Sequence, residues 1–100
     1  MRKIDVIAIL QSHADELRAA GVAHVSLFGS IARDEAGPES DVDLVIAGPP
    51  ERPMTLFGLA RAEAVLEPML GRKVDLTAQQ GLDRAVDFRR RITGDLVPAF

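Results

Sequence analysis

Three carboxylates and one glycine–serine pair are the residues of this sequence best suited to chemistry. Asp41 and Asp43 stand two apart in Asp41-Val42-Asp43-Leu44-Val45-Ile46-Ala47. An extended chain points alternate side chains the same way, so the two acids share a face, with Cα atoms ~6.5–7 Å apart. Asp75 lies in Lys73-Val74-Asp75-Leu76, where acid and apolar residues alternate again. Like charges this close raise each other's pKa unless a cation sits between them. Hard oxygen ligands suit Mg²⁺, which takes few carboxylates and completes its shell with waters and phosphates. A single Asp in a strand is ordinarily a solvent-facing acid. Asp is depleted in strands, however, and three in strand interiors favour a metal site.

The second element is Leu27-Phe28-Gly29-Ser30, an apolar run that passes through Gly-Ser into a helical turn. Glycine lets another group approach the backbone closely. A helix start offers free N–H groups and partial positive charge to a phosphate. The Ser30 hydroxyl adds a donor, and Arg33, one turn on, is placed to face a phosphate as well. Taken alone, the pair reads as an N-cap with a turn glycine. Followed ~11 residues later by an acidic pair, it is what metal-dependent phosphoryl chemistry requires: one part for the leaving phosphates, one for the metal.

The elements that position these residues follow from periodicity. Ile4, Ile7, Leu10, Ala14 and Leu17 predict a helix over about 3–20, stopped by Gly21. Val22–Phe28 reads as a strand, Ser30–Arg33 as a short helix, and Ala36–Ser40 as a turn. Asp41–Ala47 is the clearest strand, with Val42, Leu44 and Ile46 on one face and Asp41, Asp43, Val45 and Ala47 on the other. Residues 48–53, rich in proline, break the chain. Thr55 caps a further helix that turns Leu56, Leu59, Leu66 and Leu70 inward. Pro68 is expected to bend or fray its last turn, and Gly71 to end it. Arg72–Ala78 reads as a third strand, about 80–92 as a last helix, and Gly94–Phe100 as irregular. The order α-β-α-β-α-β-α predicts an α/β fold, a small sheet with helices packed on it.

Composition bounds the function. One hundred residues allow a single domain, residues 1–100. The 47% apolar content supports a core and excludes wholesale disorder. The absence of cysteine removes disulfides, thiol nucleophiles and thiolate-bound zinc. A net charge of −3 argues against a broad basic surface that grips nucleic acid, so no sequence-specific nucleic-acid binding is expected. With no Tyr or Trp, the only carbocyclic aromatics are Phe28, Phe57, Phe88 and Phe100, too few for a platform that stacks several bases. No apolar run approaches the ~20 residues of a membrane span. The start, Met1-Arg2-Lys3-Ile4-Asp5, is too charged for a secretory signal, and a cytoplasmic location with no membrane partner is expected. His13 and His24 have no second histidine at ligand spacing and read as structural. Arg84 and Arg89-Arg90-Arg91 read as a solvated basic face, or as a contact for an acidic partner or a nucleic-acid backbone.

Gly29-Ser30-Ile31-Ala32-Arg33 followed by Gly37-Pro38-Glu39-Ser40-Asp41-Val42-Asp43-Leu44 resembles the signature of the DNA polymerase β-like nucleotidyltransferases. The short length and Gly71-Arg72-Lys73-Val74-Asp75-Leu76 resemble its minimal nucleotidyltransferase branch. The resemblance runs from about Val22 to Ala78. It implies the family's small mixed β-sheet and a transfer of a nucleotidyl group with loss of pyrophosphate. It places a triphosphate at Gly29 and Ser30, two Mg²⁺ ions at Asp41 and Asp43, and Asp75 as the residue that completes one metal site and helps activate the acceptor hydroxyl. It further implies ATP as substrate and a role as antitoxin, transferring AMP to a tyrosine of a HEPN-domain ribonuclease toxin. A binding-only antitoxin that neutralises its partner by occlusion is the alternative. A small-molecule nucleotidyltransferase fits less well, since that class carries an added acceptor domain. Where the family has glycine after the motif arginine, this chain has Asp34, a residue type that tolerates the left-handed conformation.

Overall fold

Alternating apolar residues in two short strands set the architecture. The computed structural model describes residues 1–100. β1 (His24–Phe28) and β2 (Val42–Ala47) pair antiparallel, Val25 opposite Ile46 and Phe28 opposite Asp43. β3 (Val74–Ala78) lies parallel to β2, with Asp75 in register with Asp43. β4 (Val97–Pro98) pairs antiparallel with β1, giving the order β3-β2-β1-β4. The sheet is therefore mixed, and β3 is one of its two edges.

One face of the sheet carries the main core. Val25, Leu27, Val42, Leu44 and Ile46 are buried there. Against them pack α1 (Lys3–Ser12) through Val6 and Leu10, α2 (Ala14–Ala19) through Leu17, and α4 (Leu56–Leu70) through Ala62, Leu66 and Leu70. Each buried Val, Leu or Ile side chain among these is worth about 1.5–3 kcal/mol relative to exposure. The opposite face carries a second, smaller cluster. Phe28 and Val45 from the sheet meet Leu82 of α5 (Gln79–Arg84) and Ile92 of α6 (Val86–Ile92). Val45 is thus buried on the acids' own face. α3 (Gly29–Ala32) links β1 to the turn before β2.

Several local expectations are corrected. The first helix is two helices, broken at His13. The His13 Nδ1–H and the Ser12 hydroxyl both donate to the Ile9 carbonyl, so side chains compete for a backbone acceptor of the helix. The last helix breaks at Ala85. In one straight helix Leu82 and Phe88 would point about 120° apart; the break brings both onto the same cluster. Leu56 does not face inward: it is 84% exposed at the first helical position, beside Phe57 at 85%. Pro68 leaves the last turn of α4 intact, and the helix closes at Gly71, in the left-handed region, whose N–H donates to Glu67. The tail is not irregular. A 3₁₀ turn (Thr93–Asp95) leads into β4, and Ala99 is buried, its N–H on the Val25 carbonyl at 2.8 Å.

Candidate active site

Strand parity gathers the acids. Phe28, opposite Asp43, ends β1 on the same face, and Gly29 follows it directly. Asp75, in register one strand over, lies about 4.8 Å from Asp43 along the sheet. Asp41 is exposed and precedes β2 rather than lying within it; Asp43 is half-buried and Asp75 exposed. Burial pushes the Asp43 carboxyl above its usual range, and the charges of Asp75 and then Asp41 push it further; Arg33 pulls the other way.

Gly29 is required twice over. Its φ of +71° lies in the left-handed region, and a Cβ there would stand 3.1 Å from the Asp43 Cγ and closer still to its carboxylate oxygen. The backbone of the turn is thus pressed against the acid. Ser30, next in line, is the second residue of the four-residue α3 with its hydroxyl uncommitted, and N–H groups at a helix start have no intrahelical acceptor.

None of the three acids is in an ion pair, and none accepts a hydrogen bond from the protein. The two arginines nearest them are engaged elsewhere. The Arg33 Nε donates to Glu35 at 3.0 Å and Nη1 to Asp95 at 2.7 Å. Those bonds, Glu35 first and then Asp95, hold the guanidinium still more firmly charged. Arg33 therefore acts on the site through its field at Asp43, with its fork occupied by two carboxylates. Arg72 donates from Nη1 to the carbonyls of Gly37 and Ser40. Asp34 has φ +57°, so aspartate does adopt the left-handed turn. Its carboxylate accepts from the Lys3 N–H at 2.7 Å, at the start of α1.

The sequence-predicted residues Gly29, Ser30, Asp41, Asp43 and Asp75 come together at one end of the sheet. Asp95, which with Glu35 engages Arg33, and the Arg72 contacts to the Gly37 and Ser40 carbonyls were not foreseen: Asp95 is 62 positions from its partner, and no local pattern marks either contact. A cleft of about 180 Å³ opens beside Asp41, between Ser40, Arg72 and Lys73. A hollow of about 220 Å³ among Gly21, Met54 and Arg61 contains none of the acids. On the acids' face, Phe88 meets Phe28 edge-on at 5.8 Å between ring centres, and Arg91 lies 5.7 Å from the centre of the Phe88 ring.

The profile of the nucleotidyltransferase domain matches residues 10–97. The chain belongs to this family. It is 35% identical over 83 residues to the protein adenylyltransferase MntA of Thermococcus cleftensis, covering 82% of each chain. It is 31% identical over 94 residues to a candidate protein adenylyltransferase of Methanocaldococcus jannaschii, covering 93% of each. A solved structure of a candidate minimal nucleotidyltransferase superposes with a TM-score of 0.70 at 33% identity, over 92% of this chain and 93% of that one. The chain is a nucleotidyltransferase enzyme with the minimal version of the fold, as its motifs suggested.

Nucleotidyltransferases of this family generally use a nucleoside triphosphate and a divalent metal. The residues here fit both. Uncompensated carboxylates on adjacent strands supply hard oxygen ligands whose mutual repulsion a cation relieves. They do not already close around a single point. No helix is long and apolar enough to cross a membrane.

Proposed function

We propose that this chain is a Mg²⁺-dependent protein adenylyltransferase that moves AMP from ATP to a hydroxyl of another protein. The observation that carries the reading is the trio of acids left without protein partners, with Asp43 against the Gly29 backbone. Names of the relatives support the protein acceptor. Gly29 and Ser30 would hold the triphosphate through backbone N–H groups and the Ser30 hydroxyl. Asp41, Asp43 and Asp75 would hold the metal, which when bound neutralises charge on the reacting phosphates. The acceptor oxygen bonds to the α-phosphorus, the bridging P–O bond to the β-phosphate breaks, and pyrophosphate leaves. The proton of the acceptor hydroxyl passes to Asp75 or to solvent beside it.

The chain contains no tyrosine, so a transferase directed to tyrosine must find its acceptor on another chain. The partner we propose is a HEPN-domain ribonuclease toxin, with this chain as the antitoxin that modifies and silences it in the cytoplasm. The test is incubation with ATP, Mg²⁺ and the product of the neighbouring reading frame, followed by intact-mass measurement. Addition of whole AMP groups to that product is expected. Full neutralisation by an Asp41→Asn, Asp43→Asn protein would instead show that occlusion suffices.

A further inference from the structure

The two acid-bearing strands are tied together ahead of the acids, and one side chain makes much of that tie. Gly37–Ser40 is a turn with Pro38 at its second position; the Ser40 N–H donates to the Gly37 carbonyl at 3.2 Å, and the Gly37 N–H to the Ser40 Oγ at 2.9 Å. From across the sheet, Arg72 Nη1 donates to the carbonyls of Gly37 at 3.1 Å and Ser40 at 3.4 Å. The Val42 N–H then donates to the Lys73 carbonyl at 3.0 Å, the first rung of the parallel ladder. Asp41 lies between these two ties. Arg72 itself is anchored from behind: Gly71 caps α4, and the Glu67 carboxylate accepts from the Val74 N–H at 3.1 Å. Asp75 follows three residues after Arg72.

We infer that Arg72 is a positioning residue, which sets the Asp41 backbone against β3 so that Asp41 and Asp75 present their carboxylates to one cation. The inference rests on the metal-site reading above. Arg72 spends its charge on backbone carbonyls and pairs with no carboxylate. It therefore orders the turn without neutralising the acid that the turn carries. Both bonds leave one nitrogen, Nη1, whose two N–H groups are fixed in the guanidinium plane, whereas lysine is a compact charge that rotates on a flexible stem.

The test is Mn²⁺ binding followed by electron paramagnetic resonance, with Mn²⁺ alone as the probe. Wild type, Arg72→Gln, Arg72→Lys and Asp41→Asn are compared. Residues that orient metal ligands typically change metal affinity by roughly ten- to a hundred-fold when altered. Arg72→Gln should weaken Mn²⁺ binding by that factor, with its melting temperature nearly unchanged. Amide exchange at Ser40–Val42 should speed up. Metal-free binding of a non-hydrolysable ATP analogue should be unaffected, which separates turn-positioning from general loss of structure. Arg72→Lys should fall between Arg72→Gln and wild type. Wild-type Mn²⁺ affinity in Arg72→Gln, with affinity lost in Asp41→Asn, would overturn the inference. If Arg72→Gln does not fold, Arg72→Lys decides on the same two readouts: weakened binding supports the inference and wild-type affinity overturns it. Equal Mn²⁺ binding by wild type and Asp41→Asn would overturn the metal-site reading itself, and this inference with it.

Discussion

The two faces of the sheet divide the work. On one, Val25, Leu27, Val42, Leu44 and Ile46 are sealed under three helices. On the other, Phe28 and Val45 are covered by two short helices, and where that cover stops the acids begin. β2 serves both faces at once. Leu44 belongs to the core, and its neighbour Asp43 carries charge that no ion pair or hydrogen bond of the protein satisfies. One strand thus holds a stabilising residue and a destabilising one side by side, and the second is tolerated because the first face supplies the stability.

That division can be broken or sharpened by substitution. The largest effect should come from Asp43→Asn. Transfer should fall about a thousand-fold, a barrier increase of ~4 kcal/mol, while the melting temperature holds or rises because a repelled, desolvated charge is removed. Single-turnover assays beside thermal denaturation would check both halves; a marked drop in melting temperature would break the division. Leu44→Ala should do the reverse, costing about 2–5 kcal/mol of stability in urea titrations. Gly29→Ala touches both sides. A left-handed alanine costs roughly 1–2 kcal/mol, and its methyl displaces the Asp43 carboxylate, so transfer should fall together with stability.

The smallest effect is a slope with pH. Asp43 has a raised pKa in the folded chain, so between the ordinary value of 3.8 and its elevated one the folded state binds more protons than the unfolded state. Stability contributed by this group therefore falls as pH rises through that interval. The stability advantage of Asp43→Asn over wild type should widen across it and then level off. A constant gap, seen in urea midpoints at several acidic pH values, would contradict the upward shift that burial and then repulsion give Asp43.

Much of the site was legible because it is encoded locally. Alternation in β2 and β3 puts Asp41, Asp43 and Asp75 on one side, and a glycine at the end of an apolar run marks a close backbone approach. What escaped depends on partners distant in the chain. The ion pair of Arg33 with Asp95 is one such case, since Asp95 is brought to it from the far end of the sequence. β4 was hidden by Pro98, which reads as a strand breaker and is tolerated on an edge strand. The interruption at His13 comes with two side chains bonding one carbonyl, which apolar periodicity does not register.

β3 ends the sheet, so one row of its backbone donors and acceptors has no neighbouring strand. Open edges of this kind template the joining of one molecule to the next, and charged side chains are the usual guard against it. Asp75 is exposed on that strand, between Val74 and Leu76. The carboxylate assigned to the reaction is therefore also placed as a gatekeeper, and an apolar residue there would expose the protein to strand-to-strand aggregation as well as to loss of activity.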